Sequence, residues 1–146
     1  MTPSSLPYDL AQLRHDFHEA GMGQGQCQAC GYTGVFVEVH HVIERQVLRT
    51  RFPRGAVLVD GKWTPIVKGM PLDEDAETRS SEQIQWDPRN ALLLCKEPAP
   101  NRCHQRHTLA VKRVPQSALW SQNWDFAREL SLGWMLEANY PRAAAA

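Results

Sequence analysis

The chain of 146 residues carries 16 basic and 16 acidic side chains, and 42% of its positions are apolar. That length suits a single domain with a modest core, and balanced charge argues against a protein that wraps DNA by bulk basicity. No apolar run approaches the roughly 20 residues of a membrane span, and the opening MTPSSLPYDL lacks the basic and apolar regions of a signal peptide, so the expectation is a soluble, cytoplasmic protein with no membrane partner.

Residues 8–20, YDLAQLRHDFHEA, place Leu10, Leu13, Phe17 and Ala20 at helical intervals, with Gly21 as the stop. His15 and His18 read as surface or half-buried polar residues of that helix. The glycine-rich GMGQGQ then leads into the first cysteine pair, CQAC. GYTGVFVEVHHVI alternates small, β-branched and aromatic residues as a strand or hairpin would. Residues 46–86 read as a long insertion, with GAVLVDGKWTPIV forming a small hairpin around Asp60-Gly61. Within it, PLDEDAETRSSEQ has almost nothing to bury and predicts an exposed, mobile loop. WDPRNALLLC returns to the core, and CHQRHTLAVKRV has the composition of a short helix opening at Cys103. A last helix over 115–139 starts at Pro115, with Leu119, Trp120, Trp124, Ala127, Leu130, Trp134 and Met135 as its apolar face. The trailing AAAA reads as an unstructured end, and there is no internal repeat.

The four cysteines fall into two pairs, Cys27 with Cys30 and Cys95 with Cys103. A reducing compartment disfavours disulfides. Two pairs bounded by turn-forming residues point to a four-thiolate zinc site, the alternatives being a redox pair or buried free thiols. His40 and His41 are adjacent. On a strand, neighbouring side chains face opposite ways, so these are two imidazoles with different tasks, or a chance repeat at a strand end.

Taken in order, Cys27-x2-Cys30, His40-His41, Asn90, Cys95, Cys103-His104 and His107 form a set that resembles the HNH endonuclease family, in its phage-type, cysteine-bearing, zinc-stabilised subgroup. The matching stretches are CQAC, VHHVIER, DPRNALLLC and CHQRHT, spread over about residues 25–110. The resemblance implies an α+β fold: a small ββα-metal, treble-clef-like core with a structural zinc site, flanked by N- and C-terminal helices, in one nuclease domain over residues 1–146. It implies structural zinc at Cys27, Cys30, Cys95 and Cys103. It further implies a catalytic divalent ion at His40 and His104, either Mg²⁺ or Mn²⁺, with Ni²⁺ or Zn²⁺ as alternatives.

By the same resemblance His41 is the general base and Asn90 ties the loop that positions it. Phosphodiester hydrolysis needs an activated water and relief of charge on the phosphoryl oxygens, which a neutral imidazole and a divalent cation can supply. The implied products are 5′-phosphate and 3′-hydroxyl ends on DNA. Some relatives carry a third metal-binding His four positions beyond the first, where this chain has Thr108; His107 lies three positions on. Both spacings share a helix face, so His107 is either a third ligand or a solvent-facing or phosphate-contacting residue. The gap between Cys95 and Cys103 is also wider than the family's two-residue knuckle, with EPAPN looping out.

Arg45, Arg49, Arg51 and Arg54 follow the His pair, and Arg102, Arg106, Lys112 and Arg113 flank His104. Arg45, Arg49, Arg102 and Arg106 are the candidates for phosphate contact, against the plainer reading of a solvated charged face. The acid-rich segment 73–77 would repel a phosphate backbone and is expected away from the cleft. The resemblance carries a phage context in which DNA-packaging proteins would be partners. Its rivals are a non-catalytic zinc-binding module that docks DNA or a protein, and a zinc hydrolase using His40, His41 and His104 on one ion.

Overall fold

The computed structural model describes residues 9–142 as a mixed α+β fold with two small sheets and six α-helices. The expected helix start at Tyr8 and the expected unstructured end at 143–146 lie outside the described residues. Among the described residues no helix is long and apolar enough to cross a membrane.

Helix α1 (Leu10–Met22) is capped by the Asp9 side chain, which accepts the Ala11 N–H at 3.1 Å. It buries Leu13, Phe17 and Gly21. Gly21 does not stop the helix; the cap is Gly23. Its own role is close contact, because a Cβ there would stand 2.4 Å from Val39 Cγ1 and 2.6 Å from Cγ2. Alanine normally gains about 0.5–1 kcal/mol over glycine inside a helix. Overpacking a stiff β-branched neighbour costs about 1–3 kcal/mol. Gly21→Ala should therefore destabilise on balance in urea titrations, and adding Val39→Ala should make the Gly21 substitution harmless or favourable.

The strand bearing the histidines, β1 (Val37–His41), does not fold back on residues 31–36. It pairs antiparallel with the fifth strand of the chain, Ala91–Cys95, setting Val37 opposite Cys95 and His41 opposite Ala91. Of the two expectations for this stretch, strand or hairpin, the structure shows the strand, paired with a distant partner. The reason is the ALLLC run, which is buried at every position. Such a strand must be covered on both faces. Ala91 and Leu93 pack with Phe17 of α1, while Leu92 and Leu94 join the main core.

Between the paired strands lie α2 (Arg45–Arg51), β2 (Ala56–Val59), β3 (Lys62–Pro65), β4 (Thr78–Arg79) and α3 (Ser81–Gln85), followed by a 3-10 turn at Pro88–Asn90 and then β5 (Ala91–Cys95). The second sheet has the order β3-β2-β4. Its tight turn has Asp60 at φ 50° and Gly61 at φ 77°, the left-handed pair that a two-residue hairpin requires. Leu48, Phe52, Trp63 and Ile84 of this segment are buried in the same cluster as Leu92 and Leu94, so the insertion helps build the core.

The stretch expected as one exposed loop from 71 to 83 is only partly so. Thr78–Arg79 pairs with β2. Ser80 and Gln83 then form a reciprocal capping box, Gln83 N–H to Ser80 Oγ at 3.1 Å and Ser80 N–H to Gln83 Oε1 at 2.8 Å. The Ser-x-x-Gln signature ahead of buried Ile84 starts a helix that a composition argument overlooks.

Helix α4 (Cys103–Thr108) follows β5. The expected helix over 115–139 is broken into a 3-10 turn at Gln116–Ala118, α5 (Ser121–Glu129) and α6 (Gly133–Asn139), with Ser131 left-handed at φ 57° between the last two. Leu130 and Leu132 are both buried. Two positions apart on one helix they would face opposite ways, and the break lets both turn inward. Trp120 and Trp134 are not part of the inward face, at 41% and 63% exposed, whereas Phe126, Leu136 and Tyr140 are buried.

Candidate functional site

The CQAC segment closes into a knuckle through Gly31 N–H to Cys27 O at 2.8 Å and Cys27 N–H to Tyr32 O at 2.9 Å. Gln28 N–H to Leu93 O at 2.9 Å docks the knuckle on β5. Cys95 ends that strand and Cys103 opens α4, its N–H donating to Cys95 Sγ at 3.3 Å. The four sulfurs lie within 4.8 Å of one another, with Cys30 and Cys95 at 3.7 Å. Tetrahedral zinc with sulfurs at about 2.3 Å would set them about 3.8 Å apart. The four cysteines could therefore hold a structural metal such as zinc. A hydrogen bond from the Cys103 thiol pulls Cys27 below the ordinary thiol value, and the same bond pushes Cys103 above it.

The adjacent imidazoles take opposite sides of β1, as strand geometry demands. His41 stacks on Phe17, with ring centroids 4.4 Å apart and planes 20° from parallel, and meets Trp86 edge-on at 4.9 Å. Its Nε2 is buried and has no hydrogen-bond partner among the described residues. Burial, reinforced by His18, pushes its pKa down to about 4, so the ring is neutral near pH 7. His40, 6% exposed, faces the C-terminal helices. Its Nε2 is 2.9 Å from the Tyr140 hydroxyl, which donates to Val42 O at 3.1 Å. Burial holds His40 well below the ordinary imidazole value and Tyr140 well above the ordinary phenol value.

His104 on α4 lies beside His40, with ring centroids 5.1 Å apart. Its Nδ1 is 3.2 Å from Glu38 Oε2. A carboxylate only accepts, so Nδ1 carries a proton, and in the neutral tautomer that this contact selects Nε2 bears the lone pair. His40, His41 and His104 line one open cleft of about 580 Å³ together with Glu44, Arg45 and Trp86. None of the acidic residues 73–77 lines it. Among the described residues, the four cysteines are the only group of three or more potential metal ligands whose donor atoms converge.

Asn90 is fully buried and latches the loop after His41. Its Oδ1 accepts the Ile43 N–H at 2.7 Å, its Nδ2 donates to Ile43 O and Gln85 O at 3.1 Å each, and its own carbonyl accepts the Val42 N–H at 2.9 Å. Asn90→Ala strands three backbone groups, at about 1–3 kcal/mol for each left unpaired. Denaturant titration should show a loss of several kcal/mol, larger than at any exposed asparagine.

His107 sits behind His40 and does not line the cleft; the rings are 5.2 Å apart. It is 1% exposed, its Nδ1 accepts the Val114 N–H at 2.9 Å, and it stacks on Tyr140 at 4.7 Å. Burial, with Arg113 nearby, lowers its pKa to about 4. The unfolded chain takes up this proton near the usual value of about 6.5 while the folded chain does not. Stability is therefore lost as pH falls from about 6.5 toward about 4, at about 1.4 kcal/mol per pH unit for this one group. In His107→Asn, whose Oδ1 can still accept from Val114, the slope of unfolding free energy against pH should fall by about one proton in that window.

The arginines divide. Arg45 reaches the cleft, whereas Arg106 lines a separate cavity beside Cys30 and Cys103 with Lys112 and Arg113. Arg49 and Arg102 are exposed and line neither space. Sequence reasoning passed over Glu38, Trp86 and Tyr140, and treated Phe17 only as a core residue. Nothing in their spacing marks them, since each contacts a histidine carried by a different part of the chain, as Glu38 of β1 does His104 of α4 and Tyr140 does His40. No protein-family model, no curated protein and no solved structure matches the chain.

Proposed function

We propose that the chain is a metal-dependent endonuclease of the HNH type, cleaving DNA by phosphodiester hydrolysis. The observation that carries the reading is His41: a neutral imidazole with an unpartnered Nε2, held by stacking at the wall of a cleft that also contains His40 and His104. A divalent ion bound by His40 and His104 would relieve charge on the phosphoryl and leaving oxygens. The His41 imidazole takes the proton from an attacking water as the water oxygen bonds to phosphorus and the bond to the 3′ oxygen breaks; the departing 3′ oxygen takes a proton from solvent, which leaves 5′-phosphate and 3′-hydroxyl ends. Phe17 and Trp86 hold the imidazole plane, Asn90 holds the loop that follows it, and Arg45 at the rim is placed to meet a phosphate.

A second reading is a zinc-binding docking module, favoured by the fact that only the four cysteines converge as a metal-ligand group among the described residues. Incubation of zinc-loaded protein with supercoiled plasmid in Mg²⁺, Mn²⁺, Ni²⁺ or EDTA separates the two. Nicking that requires the divalent ion supports the nuclease. Folded, zinc-loaded protein that cuts nothing under any condition overturns it in favour of the module.

A further inference from the structure

We infer that Tyr140 is a positioning residue: it fixes which nitrogen of His40 carries the proton, and so which one is free to act on the cleft side. The argument is one of hydrogen counting. The Tyr140 hydroxyl has a single proton and two near neighbours, Val42 O at 3.1 Å and His40 Nε2 at 2.9 Å. A carbonyl oxygen can only accept, so that proton goes to Val42. The hydroxyl oxygen must then accept from His40, which places the imidazole proton on Nε2. His40 Nδ1 is thereby bare, and it has no hydrogen-bond partner among the described residues.

The arrangement is held from several sides. Tyr140 caps α6, is 1% exposed, and has the His107 ring stacked on it at 4.7 Å. Val42, the far end of the relay, is anchored by its N–H to Asn90 O. In its neutral form His104, with a proton directed at Glu38, has its bare nitrogen at Nε2. The Tyr140 hydroxyl behind His40 and the Glu38 carboxylate beside His104 thus leave each of the two neighbouring imidazoles, when neutral, with one unprotonated nitrogen, the state a metal ligand must have.

The inference rests on the nuclease reading only for what the bare nitrogen serves; the tautomer itself stands apart from it. Long-range proton–nitrogen correlation spectra of ¹⁵N-histidine-labelled protein report the tautomer directly. Wild type should show His40 protonated at Nε2 and bare at Nδ1. Tyr140→Phe keeps the buried ring and removes only the hydroxyl, and should give a mixture of tautomers or the Nδ1–H form. Calorimetric Ni²⁺ affinity of the zinc-loaded variant should drop by about 10–100-fold, the usual range for losing such a partner, while zinc content stays unchanged. His40 protonated at Nδ1 in wild type overturns the proposal whether or not the variant folds, and so does an unchanged tautomer in folded Tyr140→Phe. An Nε2–H His40 that responds to Tyr140→Phe, in a protein that cuts no DNA, supports the positioning role and removes the nuclease reading alone.

Discussion

His41→Ala should reduce metal-dependent plasmid nicking by about 10²–10⁴-fold, the range set by loss of a positioned general base, with zinc content unchanged. The ring has no competing task, because Nε2 meets no partner and the stacking on Phe17 is apolar in character. Its low pKa of about 4 follows first from burial. The price is a weaker base than one poised near neutrality, and the gain is a ring that is unprotonated across the whole physiological range. A phosphate entering the cleft would favour the protonated ring once it has taken the water's proton. Removing the ring also leaves space between Phe17 and Trp86, so thermal stability should fall modestly. His41→Asn separates the effects: it refills part of that space and restores no base. Nicking by His41→Ala at the wild-type rate would refute the assigned role.

Cys27→Ser should act on the other property, abolishing stoichiometric zinc and much of the stability together. Cys27 and Cys95 are fully buried members of the main core cluster. The sulfurs join a knuckle at 27–30 to a strand end and a helix start more than 60 positions later, as in the Cys30–Cys95 contact with a separation of 65. In small zinc-stabilised domains, binding supplies about 10–16 kcal/mol of apparent free energy. That matches or exceeds the about 5–15 kcal/mol by which ordinary domains are stable at all. A fall in thermal midpoint of more than about 10 °C is therefore expected, along with loss of zinc from protein desalted before metal analysis. A Cys27→Ser protein that keeps both zinc and its midpoint would rule out a structural metal at these cysteines. The two variants should dissociate cleanly, one losing cleavage and keeping zinc, the other losing zinc and the fold together.

What could be read from the chain beforehand follows a physical division. The cysteine pairs are legible because ligand spacing is a local chemical constraint, and the Asp60-Gly61 turn because its backbone angles admit few residues. The partner of β1 is not legible, since it depends on which distant strand needs covering, and ALLLC lies some fifty positions on. Gly21 has a composition-level reading as a helix stop, and only the approach of Val39 reveals its use. In the C-terminal segment helical periodicity spans a break, because Leu130 and Leu132 are redirected by one left-handed residue at Ser131. The histidines could be singled out by their chemistry. The groups that set their protonation could not, because Glu38 and Tyr140 lie 66 and 100 positions from the imidazoles they contact.

The Asn90 latch has a consequence for how much the chain between 44 and 89 can vary. Val42 and Ile43 are tied to Asn90 at the mouth of that segment, so its two ends are clamped where they enter and leave the cleft wall. Doubling the length of a clamped loop adds only about 0.6 kcal/mol of closure entropy. Leu48, Phe52, Trp63 and Ile84 cannot be dispensed with, as they fill the core. Residues 67–75, mostly exposed and outside both sheets, form the natural port at which the chain can be lengthened, shortened or grafted with a foreign peptide while the histidines hold their places.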